Sequence, residues 1–424
     1  MSTDEPQVEP QGPPPLPGPL GPTEPVSPTE RIEALDVLRG FALFGILMVN
    51  IQSFAMILPA YSNPTAYGDL RGANRLVWLV THVLFEMKFM TLFAMLFGAG
   101  VVLMTGRAEA AGRSGVAVHL KRMGWLIVFG LAHGYLLWYG DILVWYGLCG
   151  LVVVWLRRAP PALLGGLGLA AVGITSLLSL LIGWSMPYWP EESRHALRES
   201  WDPSSETIEA ELAAYRGGWQ EQTTHRAPMT LGSQTIRFLV WGAWRVGGVM
   251  LLGMALFKLG VLGGQRAPPF YLRLCLAGFL VGIPIVLLGV QQQFAHDWDY
   301  RYGFFLGSQY NYWASLPVSL GWVGLVLWIC TAGALPALRR GLAAVGQMAL
   351  TNYLMQTIIA TTIFYGHGLG LFGRVERVGQ LAIVLVIFVA QVFFSLAWLQ
   401  HFRFGPFEWL WRSLTYGRRQ PLWK

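Results

Sequence analysis

The chain has 424 residues, of which 54% are apolar and only 12% charged, and it carries a net charge of +7. Soluble domains hold about 25% charged residues, so half the usual solvating groups are missing. An ordinary cytosolic enzyme is thereby excluded in favour of an integral membrane protein. An aromatic content of 13% and a mean hydropathy of +0.47 also exclude disordered and fibrous classes. The basic residues punctuate the ends of apolar runs and form no stripe, which argues against a nucleic-acid partner. Cys149, Cys275 and Cys330 lie within apolar stretches as small hydrophobes, with no disulfide framework and no CxxC pair for structural zinc.

Residues 1–30 contain ten prolines among polar residues and read as a disordered, polyproline-prone cytoplasmic tail, not a cleavable signal peptide. From residue 31 to 424 the chain reads as a single polytopic membrane domain. Apolar runs of spanning length, about 20 residues each, fall near 35–58, 75–104, 121–139, 142–157, 162–184, 237–262, 271–290, 313–334, 342–364 and 378–400. The predicted architecture is an all-α transmembrane bundle of about ten spanning helices. Gly130 and Gly134 form a small-xxx-small spacing suited to close helix approach.

Breaks after even-numbered runs hold the basic clusters: Arg107, Arg113, Lys121 and Arg122, then Arg157 and Arg158, Arg266 and Arg273, Arg339 and Arg340, and the tail 401–424. Breaks after odd-numbered runs hold scattered arginines and the segment 185–236, where eight carboxylates oppose four arginines. The positive-inside rule then places both termini in the cytoplasm and 185–236 outside, as an acidic loop of a bacterial plasma-membrane protein.

Ionisable groups within a span are costly and mark pairing or functional sites. Asp36, Arg39 and Asn50 share one face of the first helix, with Asn50 about 16 Å from Arg39. Asp36 and Arg39 are i, i+3 neighbours suited to an ion pair. In the second run His82 and Glu86 are i, i+4 neighbours, a base with its orienter, whereas Lys88 lies about 200° around from Glu86. His133 in the third run precedes Asp141 at a tight turn. Arg245 sits inside the sixth run, where it suits an anionic group or a charge balance for Glu86. Asn352 and Gln356 are i, i+4 and read as helix–helix hydrogen-bonding residues. Nucleotide-cradling and hydrolase motifs are absent, which argues against an ATP-driven pump.

Four stretches, RIEALDVLRGFALFGILMVNIQSF, FEMKFMTLFAMLFGAG, GLAHGYLLWYGDIL and GQMALTNYLMQTII with the later FGPFEWLWRSLTYG, resemble the YeiB-like family of bacterial membrane proteins, also known as domain of unknown function 418. The resemblance runs in order from about Arg31 to Pro421. The opening LDVLRG with VN is more distantly similar to the first helix of heparan-α-glucosaminide N-acetyltransferase and of O-antigen acetylase-type membrane acyltransferases. That likeness implies an active-site role for Asn50. The histidine which the glucosaminide enzyme places about eleven residues later is missing from YSNPTAY at 61–67. His133 or His82 must then serve as base.

The residues and resemblance lead first to a membrane-embedded acyltransferase. It would move an acyl group from a cytoplasmic thioester, with acyl-CoA as co-substrate and no permanently bound cofactor, to an extracytoplasmic glycan or lipid acceptor. In that reading His133, Asp141 and Asn50 are catalytic, while Asp36, Arg39, His82, Glu86, Lys88 and Arg245 bind substrate. An ion-coupled carrier built on the same buried charges is the alternative, and a non-catalytic structural or sensory protein a third. The lipid bilayer is the partner in all three.

Overall fold

The computed structural model describes residues 32–424, and the proline-rich tail expected over 1–30 lies outside the described residues. Among the described residues every regular element is helical, apart from an isolated bridge between Phe402 and Trp423. Eight helices or continuous helical runs are long and apolar enough to cross a membrane. All ten apolar runs of the sequence are helical, but not all are uninterrupted spans.

The first helix, α1 (Glu33–Ala55), is the best-buried span, and α2 (Gly72–Leu84) and α3 (Lys88–Ala110) follow it. The expected second span is therefore broken. Met87 adopts a left-handed conformation at φ 63°, and the Thr81 carbonyl accepts from the amides of both Phe85 and Glu86. Next come α4 (Gly115–Ala132), which widens into a π-helical turn over His133–Leu137, and α5 (Leu143–Val153) behind the tight turn at Gly140-Asp141. After α6 (Pro161–Ser185), the predicted acidic loop is largely helical, with α7 (Glu191–Glu199), α8 (Ser205–Arg216) and α9 (Trp219–Gly232). The last of these runs through a π-helical stretch into α10 (Ala243–Lys258), so this crossing helix begins at Trp219 and not near 237.

The remainder consists of α11 (Pro268–Ala295), α12 (Ser308–Thr331), α13 (Pro336–Gln347), α14 (Ala349–Phe364), α15 (Arg377–His401) and α16 (Pro406–Tyr416). The expected ninth span is split at Met348, between α13 and α14. Large apolar side chains such as Leu280, Val386 and Phe393 are exposed on α11 and α15, the surface that lipid must cover. Hydrogen bonds between Asn352 and Ser395 and between Gln356 and Gln391 join α14 to α15, as their spacing predicted.

The two sets of chain breaks separate to opposite ends of the bundle. At one end Arg157 and Arg158 bond Glu109, Lys258 bonds the Ala159 carbonyl, Arg339 lies 3.5 Å from Glu33, and the Trp411 indole bonds the Arg122 carbonyl. At the other, Glu211 accepts from the Leu58 amide, Arg377 donates to the Pro64 and Asp69 carbonyls, Asn63 bonds Trp201, and Trp201 bonds Trp298. These are the even-numbered and odd-numbered breaks of the sequence, and we refer to them as the basic and acidic ends.

Central helices approach to backbone contact where glycines meet. A Cβ on Gly253 of α10 would lie 2.1 Å from the Met95 carbonyl oxygen of α3, and one on Gly98 would lie 2.0 Å from that of Met250. Gly253→Val therefore forces these helices apart at a cost of about 1–3 kcal/mol. A lower melting temperature of the detergent-solubilised variant checks this, with Gly100→Ala, whose added Cβ meets nothing within 4 Å, as the neutral control.

Candidate functional site

The π-helical turn at the end of α4 places His133 inside the bundle. Widening the helix frees the Tyr135 and Leu137 carbonyls, which accept from the guanidinium of Arg226 on α9, while the Gly134 carbonyl accepts from the Thr230 hydroxyl. Such π-turns are uncommon and recur at functional sites. Across the turn, Asp141 accepts the Val144 amide at 2.9 Å on one oxygen, at the start of α5, and meets His133 Nδ1 at 2.9 Å with the other. His133 Nε2 lies 2.9 Å from the Thr357 Oγ1 of α14. Nδ1 thus faces the carboxylate, and Nε2 shares a hydrogen bond with the Thr357 hydroxyl whose direction follows the imidazole tautomer. All three side chains are buried.

On the basic-end side of this group lies a cavity of about 1240 Å³. Among the described residues its lining includes Asp36, Arg39, Arg107, Arg113, Arg122, Glu408 and Arg412, five arginines and two carboxylates. Arg122 stacks on Trp411, and Arg412 on Phe404, which presents their charge on rigid aromatic supports. Farther in, the walls become apolar through Phe93, Leu96, Phe97, Leu126 and Leu143. The Tyr353 ring, also in the wall, lies 5.1 Å from the His133 ring. Glu408 accepts from the Leu350 and Thr351 amides and the Thr351 hydroxyl, capping the start of α14. Burial nevertheless holds its carboxyl above the ordinary range.

The structure divides the predicted site residues among three places. Asp36 and Arg39 form the expected ion pair at 2.7 Å and line the cavity. His133 and Asp141 are joined as predicted but lie behind its wall. Asn50 is half-buried and belongs neither to the cavity lining nor to the hydrogen bonds around His133.

His82, Glu86 and Lys88 form a separate polar cluster, and Arg245 belongs to a hydrogen-bond group of its own. His82 Nδ1 lies 2.7 Å from Glu86, and Asn311 bridges Glu86 and the Lys88 ammonium. The expected divergence of Lys88 from Glu86 is corrected by the break at Met87, which resets the helical phase. Arg245 does not balance Glu86: it bonds Thr91 and Ser315 and lies over the Tyr312 ring at 4.5 Å.

Sequence reasoning missed Thr357 and Tyr353, since a threonine and a tyrosine on an apolar helix carry no signal of their own. It expected cytoplasmic arginines near Arg39 to hold the donor's phosphates without singling out Arg107, Arg113, Arg122 or Arg412. Among the described residues no group of three or more His, Cys, Asp or Glu side chains is placed to hold a metal ion.

Apolar helices of crossing length, a lipid-facing surface and an internal polar cavity define a polytopic helical membrane protein. Residues 256–418 match the model of the family described as "Protein of unknown function (DUF418)". The chain is 37% identical over 396 residues to "Uncharacterized protein YeiB" of Escherichia coli (strain K12), covering 91% of this chain and 96% of that one. It is 30% identical over 426 residues to "Uncharacterized protein YxaH" of Bacillus subtilis (strain 168), covering 95% and 98%. The chain belongs to the YeiB-like DUF418 family. No solved structure matches it.

At the acidic end, α8 is tied to the segment after α1 through Glu211, whose carboxyl burial raises from the usual 4.5 to about 7. Folding thus favours the protonated form. Its stabilisation is complete below about pH 4.5 and disappears as pH rises through 7. Amides of Ser205–Arg216 are therefore expected to exchange hydrogen faster at pH 8 than at pH 6, after correction for intrinsic rates, and Glu211→Gln is expected to remove that difference.

Proposed function

We propose that this protein is a membrane-embedded acyltransferase that receives a thioester donor such as acyl-CoA in the basic-end cavity. The acyl group then passes towards His133, for a hydroxyl or amine acceptor at the acidic end. The observation that carries this reading is the cavity itself: arginines at one part of its lining, apolar walls beyond them, and one aromatic side chain between it and an Asp-oriented histidine. Phosphates of the donor suit guanidinium groups, and its acyl chain suits the apolar wall. Positive-inside orientation makes the basic end cytoplasmic, where acyl thioesters are made. His133 acts as base, Asp141 fixes its tautomer, and Arg39, Arg122 and Arg412 hold phosphate. Asn50 has no part in this assignment.

A carrier is the second reading, favoured by the polar cluster His82, Glu86, Asn311 and Lys88, which is well suited to a coupling ion or proton. Flux of a solute into proteoliposomes without thioester turnover supports the carrier against the enzyme.

Purified full-length protein is expected to bind acetyl-CoA and palmitoyl-CoA, and Arg122→Gln with Arg412→Gln is expected to weaken binding at least tenfold. Charge-assisted hydrogen bonds contribute about 1.5–3 kcal/mol each, and 1.4 kcal/mol is tenfold in affinity. Equilibrium binding at two salt concentrations checks this, and a wild-type protein that retains neither thioester sinks the proposal.

A further inference from the structure

Thr357 does not spend its hydroxyl as several other helical threonines do. Thr91, Thr105, Thr230 and Thr362 all bond back to the carbonyl four residues earlier on their own helices. Thr357 instead meets His133 Nε2 at 2.9 Å, so that hydroxyl, imidazole and carboxylate stand in the order of a nucleophile, a base and its orienting group. Two further buried groups beside His133 lack partners. The Trp138 indole N–H has none, and the Tyr353 hydroxyl, with the Ile142 amide near it, has no acceptor for its proton. Their rings lie 6.2 and 5.1 Å from the imidazole. Unspent donors in a dry interior are costly, and they suit an oxygen that develops negative charge there.

We propose that Thr357 is a covalent nucleophile, which takes the acyl group from the thioester and holds it as an ester until the acceptor arrives. The inference rests on the acyl-transfer reading above. Thr357 lies one turn beyond Tyr353 on α14, about 6 Å farther from the cavity along the helix axis. Rotation of the Tyr353 side chain opens the wall and admits the thioester carbonyl.

The Thr357 Oγ1–H proton passes to His133 Nε2 as Oγ1 bonds the carbonyl carbon. The tetrahedral oxyanion is met by the Trp138 indole N–H. The carbon–sulfur bond then breaks, and the departing thiolate takes the proton back from the imidazolium. In the second half, His133 takes the proton of the acceptor hydroxyl or amine, which attacks the ester carbon. The Thr357 oxygen leaves and recovers that proton, so both halves balance and no other reactant is consumed.

The test uses full-length protein in lipid nanodiscs, incubated with acetyl-CoA or palmitoyl-CoA without acceptor, quenched in acid, digested and read by mass spectrometry. An acyl ester on the peptide carrying Thr357, with about one equivalent of free CoA released in a burst, is expected. Thr357→Val, which keeps side-chain shape, removes the ester and the burst, whereas Thr357→Ser retains both. Asp141→Asn slows acylation on the order of 10³-fold, since the tautomer is lost. Matching elution and melting of the variants separates this loss from misfolding, and the adduct on wild-type protein stands without any variant. Thioester turnover that yields no adduct and survives in Thr357→Val overturns the nucleophile but leaves the acyl-transfer reading intact. Failure of the wild-type protein to bind either thioester overturns both.

Discussion

Inside hydrocarbon a polar group has no water to fall back on, so each must be solvated by another part of the protein. The arrangement of α12 follows from that constraint. Asn311, Ser315 and Ser319 recur every four residues along one face. Asn311 meets Glu86 and Lys88, Ser315 meets Arg245, and Ser319 donates to the Lys88 carbonyl. One polar stripe thereby serves both the ionisable cluster and the first turn of α3.

The same constraint governs the irregular backbone elsewhere. The split at Met348 exposes the first amides of α14, and the half-buried carboxyl group of Glu408 takes them up. The π-turn at His133 frees two carbonyls, and fully buried Arg226 takes those. In each case a charged side chain from a distant segment meets the opened helix end or turn. Irregular backbone within membrane proteins is tolerated where protein covers it, and here it also delivers His133 and the start of α14 to the bundle interior.

How much of this was legible in the sequence depended on whether the signal was local. Ten apolar runs were visible because hydrophobic length is a property of consecutive residues, and the two-ended sorting of the breaks followed from their charges. The Asp36–Arg39 and His82–Glu86 pairs were visible as helical neighbours. The His133–Asp141 pair was anticipated from a tight turn that brings two helices together. Thr357 stayed hidden because its partner is 224 residues away and its residue type is ordinary on a helix. Lys88 was misplaced because a single left-handed residue, Met87, shifts every later position, and methionine gives no warning of that conformation. The segment 185–236 was read as a loop because its low apolar content hid three helices that pack by a few contacts such as Glu211 with Leu58.

The relay proposed near the middle of the bundle would resolve a problem of reach. A donor carrying several phosphates cannot enter about 30 Å of hydrocarbon, because desolvating that charge is prohibitive, and a hydrophilic acceptor at the opposite end meets the same barrier. The only part that needs to cross is the acyl group, which is itself apolar or nearly so. An arrangement that stops the phosphates at Arg122 and Arg412, admits the acyl end past Tyr353 and presents it beside His133 moves the one component for which the interior is a favourable solvent. Buried Thr357, closed off from both ends, would also shield an ester from water, so that the bond to the chain persists until an acceptor displaces it.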